Sequence, residues 1–261
     1  MINSNNNINH LIYVPFTGLG LLNGFRGQKW FEARAEIFKN HTLKSFQNQS
    51  NKNFTVWVSF RPEEKDNPIT HKIESYLKES GLDYILTFDG IMMYDDRGVE
   101  HNKDLKERME RTMKKLKPIV GESKWVFVTD CGSDDMHRGD AIEKIQQEKP
   151  RFKGAIYYLN GYVYNIQEDK LAYWKKTVSA AQFTVMYPAK AFLDADKHLE
   201  YTDGFDSHEY LPLLFDATRF PDNMFMCSVH GYNISTVWNH PYRGEEIVGK
   251  EKDKIMKQFG L

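Results

Sequence analysis

Short apolar runs separated by charged stretches set the rhythm of the first half of the chain. Residues 11–16 (LIYVPF), 54–60 (FTVWVSF), 84–88 (YILTF) and 124–129 (KWVFVT) are rich in β-branched and aromatic side chains. They are too short for buried helices, so each is expected to be a strand. Between them the period lengthens. Across 28–48, Trp30, Phe31, Arg34, Ile37, Phe38, Leu43 and Phe46 recur at helical intervals, which predicts a helix whose stripe packs on a sheet. A second helix is expected over 73–78, and a strongly charged surface helix over 104–116, closed by Pro118. Strands alternating with helices at this spacing imply βαβ units and a mostly parallel sheet.

Past Pro150 the rhythm shortens. Strands are expected at 155–159, 162–166 and 171–175, and Asn160-Gly161 between the first two predicts a hairpin turn. Strands at 183–187 and 224–229, a short helical piece at 207–215 and a helix ending the 238–261 tail complete the pattern. The Asn-rich residues 1–8 are expected to be a disordered leader. With no internal repeat and no long linker, one α/β domain is expected over 9–261. Its nucleotide-type half, about 9–150, would hold a mixed, mostly parallel central sheet flanked by helices, and its hairpin-rich half, 151–261, would take a second substrate.

Composition narrows the partners. The 261 residues are 41% hydrophobic, enough for a sizeable core. Lys and Arg total 35 against 36 Asp and Glu, a net charge of -1, so no global field favours nucleic acid or an anionic membrane. Any anionic ligand must be handled locally. Cys131 and Cys227 have neither metal-ligand spacing nor the density of a disulfide scaffold, which points to a reducing cytoplasm. No stretch resembles a signal peptide or a transmembrane span, so membrane contact, if any, is expected to be peripheral.

Chemistry concentrates in three segments. The first, VFVTDCGSDDM (126–136), takes a buried strand into Asp130 and then the adjacent carboxylates Asp134 and Asp135. Open α/β sheets bind ligands just past the carboxyl ends of central strands, and paired carboxylates there suit a hard divalent cation. The plainer alternative is a solvated turn whose Asp134 or Asp135 caps a helix beginning near His137. The second segment, FDSHEY (205–210), starts an amphipathic helix. Ser207 or Asp206 would cap it, yet Glu209 or Asp206 at a helix start facing a cleft also suits a general base, and His208 is unexplained by capping.

The third segment, VHGYNISTVW (229–238), leaves a strand at His230, a candidate ligand or phosphate contact beside polar Asn233, although a lone histidine is commonly structural. Arg243, in NHPYRG, offers positive charge to a leaving diphosphate. Arg26, Arg34 and Arg61 are candidate phosphate or base contacts, each to be weighed against an ordinary ion pair. Asp89, Asp95 and Asp96 follow the third strand and either contact a nucleoside or solvate a loop. The glycines at 18, 20, 24 and 27 lack the spacing of a dinucleotide fingerprint or P-loop.

Taken in order, these segments resemble a glycosyltransferase of the GT-A, Rossmann-like fold, and more narrowly a rhamnosyltransferase-like bacterial group. The resemblance runs through RAEIFKNHTLKSFQNQSNKNFTVWVSFRPEE, continues at SDD and ends in SHEY and HGYNISTVWNHPY. It spans nearly the whole chain, and the last three motifs are its specific part. It implies a nucleotide-sugar donor, a glycan or glycolipid acceptor, and Mn2+ or Mg2+ bridging the donor diphosphate. The acidic metal motif falls on Ser133, Asp134 and Asp135, with Gly132 or Ser133 standing where the usual Asp-x-Asp form has its first acid. The late histidine ligand falls on His230 and the base on Glu209, with Asp206 the fallback. Ser133, Arg34, Arg61, Asp89, His208, Asn233 and Arg243 are then the candidate donor contacts. Two other classes remain open: an inactive nucleotide-sugar or glycan-binding module, suggested by the incomplete acidic motif, and a metal-dependent phosphoester hydrolase, which the lack of a dense His/Asp cluster disfavours.

Overall fold

In a computed structural model of the chain, Leu11, Ile12, Tyr13 and Val14 are each no more than 1% exposed. A strand buried on both faces belongs in the middle of a parallel sheet covered by helices. Its alternate residues enter two different cores. Ile12 and Val14 join Phe31, Phe38, Val58 and Ile73 on one face, while Leu11 and Tyr13 join Trp57, Met113, Leu116 and Tyr187 on the other. The structure describes residues 7–17, 27–90, 104–180, 182–205, 207–233 and 236–261.

The first half alternates as its pattern predicts: β1 (Ile8–Pro15), α1 (Gln28–Ile37), α2 (Leu43–Gln47), β2 (Thr55–Ser59), α3 (Pro68–Ser80), β3 (Tyr84–Thr87), α4 (Leu105–Val120) and β4 (Trp125–Asp130). A π-helical turn, Phe38–Thr42, joins α1 to α2 so that the two run on as the single helical segment expected over 28–48. Asn67 caps α3 by accepting from the Ile69 N–H at 3.0 Å, Pro68 opens it, and Gly81 in the left-handed conformation (φ 71°) ends it. Pro118 does not close α4 as expected. The helix continues to Val120, because Met109, Met113, Leu116 and Val120 form one buried stripe that outweighs a single lost backbone bond.

The second half holds β5 (Met136–His137), α5 (Ala141–Gln147), β6 (Gly154–Tyr157), β7 (Asn160–Asn165), β8 (Lys170–Lys175) and β9 (Phe183–Pro188). There follow α6 (Ala189–Phe192), α7 (Ala195–Tyr201), α8 (Leu211–Leu214), β10 (Asp216–Arg219), β11 (Phe225–Val229), β12 (Arg243–Ile247) and α9 (Gly249–Gln258). One seven-stranded sheet runs β10-β6-β9-β4-β1-β2-β3, with four of its six pairings parallel and β9 antiparallel to both neighbours. This is the mixed, mostly parallel layout expected from the sequence. A five-stranded sheet, β12-β8-β7-β11-β5, packs a third apolar cluster against Ile255 and Phe259 near the chain end.

Two local expectations are corrected. Asn160-Gly161 does not turn a hairpin between 155–159 and 162–166: β6 stays in the large sheet beside β9, and β7 enters the small one. Gly161 is instead wedged under β11, where a Cβ would stand 2.6 Å from the Phe225 carbonyl. The segment at His137 is a strand, not a helix start, and the helix begins at Ala141. Ile8 already belongs to β1, while residues 1–6 of the expected leader lie outside the described residues. Among the described residues no helix is long and apolar enough to cross a membrane.

Candidate functional site

β1 and β4 are neighbours in the large sheet, and the strand order diverges from them: β2 and β3 extend one way, β9 and β6 the other. Such a switch point opens a crevice at the carboxyl edge of an α/β sheet, which is where ligands of such folds sit. β4 holds its ladder one bond beyond Asp130, the Cys131 N–H donating to the Tyr13 carbonyl at 2.9 Å. The chain then turns, Asp135 N–H donating to the Gly132 carbonyl at 3.0 Å, and re-enters a ladder as β5. A Cβ at Gly132 would lie 2.9 Å from Asp135 Oδ2 and 3.1 Å from Asp134 Oδ1. A side chain at that position would therefore crowd the two carboxylates.

Pairing brings the third segment to the first. β5 runs antiparallel to β11, with Phe225 opposite His137 and Met226 opposite Met136, so the end of β11 passes the acidic turn and His230 follows it. The His230 Nε2 lies 3.0 Å from Asp134 Oδ2. Asn233 holds this loop closed: its Nδ2 donates to the Ser228 carbonyl at 2.8 Å and reaches Asp134 Oδ2 at 3.4 Å, while its Oδ1 accepts from the His230 N–H. From α1, Trp30 Nε1 donates to the Tyr232 carbonyl at 3.1 Å.

The charge that meets the acidic turn comes from α1. Arg34 is 4% exposed, and its Nη1 donates to Asp134 Oδ2 while its Nε donates to Ser133 Oγ at 2.8 Å. Nη1 also lies 3.2 Å from His230 Nε2. Burial pushes the Asp134 carboxyl up, but the Arg34 guanidinium and His230 outweigh it and hold the group below the usual carboxylate range. Asp135 is turned away from Arg34's fork. Its Oδ2 accepts from Gln182 Nε2 at 2.5 Å and its Oδ1 from the Ser228 N–H at 3.3 Å. Burial and the neighbouring Asp134 charge drive the Asp135 carboxyl well above its ordinary range, and burial with the Asp135 charge does the same to Asp130.

This donor set fits a guanidinium rather than a divalent cation. Hard cations need several convergent oxygens with open lone pairs, and a ligating histidine passes its other ring N–H to an acceptor. Asp134 Oδ2 already faces three nitrogen atoms, and both Asp135 oxygens face N–H donors. His230 Nδ1 accepts from the Tyr232 N–H at 3.3 Å, so the neutral ring carries its proton on Nε2, the nitrogen turned to Asp134. Among the described residues no three His, Cys, Asp or Glu side chains are arranged to hold a metal ion.

The other sequence candidates divide. Glu209 is exposed in a 3-10 turn, His208–Tyr210, whose start is capped by Ser207 Oγ accepting from the Glu209 N–H at 3.3 Å. His208 Nδ1 pairs with the Ser179 carbonyl at 2.8 Å. Asp206, Arg26, Asp95 and Asp96 lie outside the described residues. Arg61 sits past β2 and pairs with buried Glu64, Nη2 to Oε1 at 2.6 Å, while Thr17 at the end of β1 donates to the same carboxylate at 3.0 Å. Asp89 is committed to α4, receiving Arg111 Nε at 2.8 Å and Thr112 Oγ1 at 3.0 Å. Arg243 stacks over Trp238, 5.0 Å from the ring centroid, in the small sheet.

One residue no motif singles out joins the first two segments. Lys176, half-buried just past β8, has its Nζ 5.6 Å from the Tyr242 ring centroid and lies within electrostatic reach of both Asp135 and Glu209. Burial lowers its pKa from the usual lysine value. Gln182 was equally silent in the sequence, since a lone glutamine before a strand has no pattern. Two open surface hollows of ≈ 390 Å³ lie elsewhere, one lined by Asn48, Arg138, Asp140 and Gln258, the other by His10, Asn53, Asp83 and Tyr84. Neither touches the acidic turn, and the chemistry of the side chains, not cavity size, marks the site.

No family model matches this chain, and no curated protein matches it in sequence. Solved structures similar to it include S. aureus TarS 1-349 in complex with UDP, at 12% identity and a TM-score of 0.42 over 85% of this chain. A second structure of S. aureus TarS 1-349 scores alike, with 84% of this chain covered, and a longer S. aureus TarS structure gives a TM-score of 0.41. The chain spans 60% of the length of the TarS fragment and 37% of the longer structure.

Proposed function

We propose that this protein is a glycosyltransferase that moves a sugar from a nucleotide-sugar donor to an acceptor hydroxyl. The observation that carries this reading is the convergence of Arg34, Ser133, Asp134 and His230 past the carboxyl end of β4, where the strand order diverges from β1 and β4. The donor's diphosphate would face this acidic turn and its cationic neighbours, with the nucleoside along the carboxyl edge of β1 and β2. The acceptor oxygen attacks the anomeric carbon as the bond from that carbon to the diphosphate oxygen breaks. The nucleoside diphosphate departs with the bonding electrons, and the acceptor proton passes to a carboxylate. Glu209 is the described candidate for that base, and attack from the face opposite the leaving group would invert the anomeric centre.

A rhamnosyl donor and a divalent cation are finer expectations of the sequence resemblance, and the same assay tests them. Folded protein is incubated with UDP-, dTDP- and GDP-sugars, dTDP-rhamnose among them, and glycan acceptors, with and without Mn2+; released nucleotide and glycosylated product are measured together. Acceptor-dependent release supports the transferase. Release at the same rate without acceptor, or no donor consumption at all, removes it. Glu209→Gln is expected to lower kcat by about 10²- to 10⁴-fold with nucleotide affinity unchanged, as loss of a general base does. Turnover at the wild-type rate would take the base role away from Glu209.

A further inference from the structure

The acidic turn already holds a cation that belongs to the chain. Arg34 spends Nε on Ser133 and Nη1 on Asp134, the same oxygen that faces His230 Nε2. Its Nη2 has no hydrogen-bond partner among the described residues and is not among the polar atoms sealed from solvent. A guanidinium held at Nε and Nη1 leaves its Nη2 hydrogens as rigidly placed charged donors, which suit a phosphate oxygen. Trp30 backs the same group, its ring centroid 5.7 Å from the guanidinium carbon.

Lys176 is the second candidate cation. Among the described residues its ammonium forms no ion pair or hydrogen bond; its contact is the Tyr242 ring face, and Asp135 and Glu209 lie within electrostatic reach. It thus feels both the acidic turn and the segment that carries the candidate base. A departing diphosphate gains negative charge between those two points, where preorganised cations stabilise it.

We propose that Arg34 and Lys176 together bind the donor diphosphate, and that Ser133, Asp134 and His230 orient the Arg34 guanidinium instead of ligating a divalent cation. This rests on the nucleotide-sugar reading above. It also explains why a guanidinium and four N–H donors surround a motif that in outline suggests a metal.

The test is a calorimetric titration of the full chain with UDP, dTDP and GDP, each in EDTA and again in Mn2+. One nucleotide is expected to bind with a Kd that agrees within about twofold in the two buffers. Lys176→Ala should weaken that Kd by about tenfold, Lys176→Arg should restore most of it, and the parent nucleoside should bind wild type and Lys176→Ala alike, since charge-assisted contacts to phosphate are what the variant loses. Arg34→Lys keeps a charge on Asp134 but loses the fork, and should weaken binding while its circular dichroism stays native. A Kd that tightens more than about tenfold on adding Mn2+ assigns the diphosphate to a metal and overturns the inference while the transferase reading stands. Unchanged binding in Lys176→Ala overturns it as well. Folded protein that binds no nucleotide in either buffer removes both.

Discussion

Arg34 and Asp134 form a pair in which each charge depends on the other being there. Both are nearly sealed from water, with side chains 5% and 10% exposed. Deleting one partner strands a buried charge, so Arg34→Ala should lower the unfolding free energy by about 3–5 kcal/mol, read by urea denaturation. Adding Asp134→Asn to that variant should recover most of the loss, because the stranded charge is then gone. Asp134, Asp135 and His230 were each visible in the sequence as chemistry-bearing side chains at strand ends. Their partner was visible too, but only as one polar member of a helical stripe. The contact itself spans 100 positions, and no local pattern encodes a meeting at that distance.

A different buried group sets a pH response. His198 is 1% exposed, stacked 4.9 Å from the Tyr187 ring, and burial pulls its pKa down to about 4, partly offset by its bond to the Phe192 carbonyl. The unfolded chain therefore takes up the proton first as pH falls below about 6.5, and the folded state loses stability down to about pH 4. His198→Phe lacks that titration. Between pH 7.5 and pH 4.5 the stability gap between variant and wild type should move in the variant's favour by about 2–3 kcal/mol, whatever the gap at neutral pH. Denaturation curves at the two pH values check it, and a constant gap would mean the ring protonates as easily folded as unfolded.

At the scale of elements, the meeting of β5, β7 and β11 decides where His230 goes. β7 lies parallel to β11 with Tyr162 opposite Met226, and Gly161 precedes that register against the Phe225 carbonyl. Gly161→Ala should cost about 1–3 kcal/mol by overpacking and should weaken nucleotide binding through the displaced β11, where an exposed Gly→Ala change would do neither. Melting temperature and nucleotide affinity measured together separate the two effects. Asn160-Gly161 has the composition of a hairpin turn, and the hairpin expectation followed that local chemistry. The structure uses the glycine for close backbone approach instead. The hairpin that does form joins β7 to β8, where Tyr162 and Tyr173 face each other across the ladder. Pro118 teaches the same point in a helix, since its local stop signal loses to the buried stripe from Met109 to Val120.

At the scale of the whole molecule, β1, β2, β3 and β4 and the helices between them were legible because each is short, strongly apolar and bounded by charge or turn residues, and hydrophobic burial acts on such runs wherever they lie. Their alternation also implied a parallel sheet and a ligand edge at the end of β4, since crossover connections leave few other arrangements. The placement of acids after β4, with a histidine after a later strand, was written locally as well. What only the folded chain decided was which distant groups meet: Arg34 with Asp134 and Ser133, Gln182 with Asp135, and Lys176 within electrostatic reach of Asp135 and Glu209. It also divided the carboxyl half between two sheets, taking β6 and β9 into one and β7 and β8 into the other. Periodicity reports which face of an element is buried, but partner choice depends on packing and charge neutralisation across the chain, and those exist only once the elements are assembled.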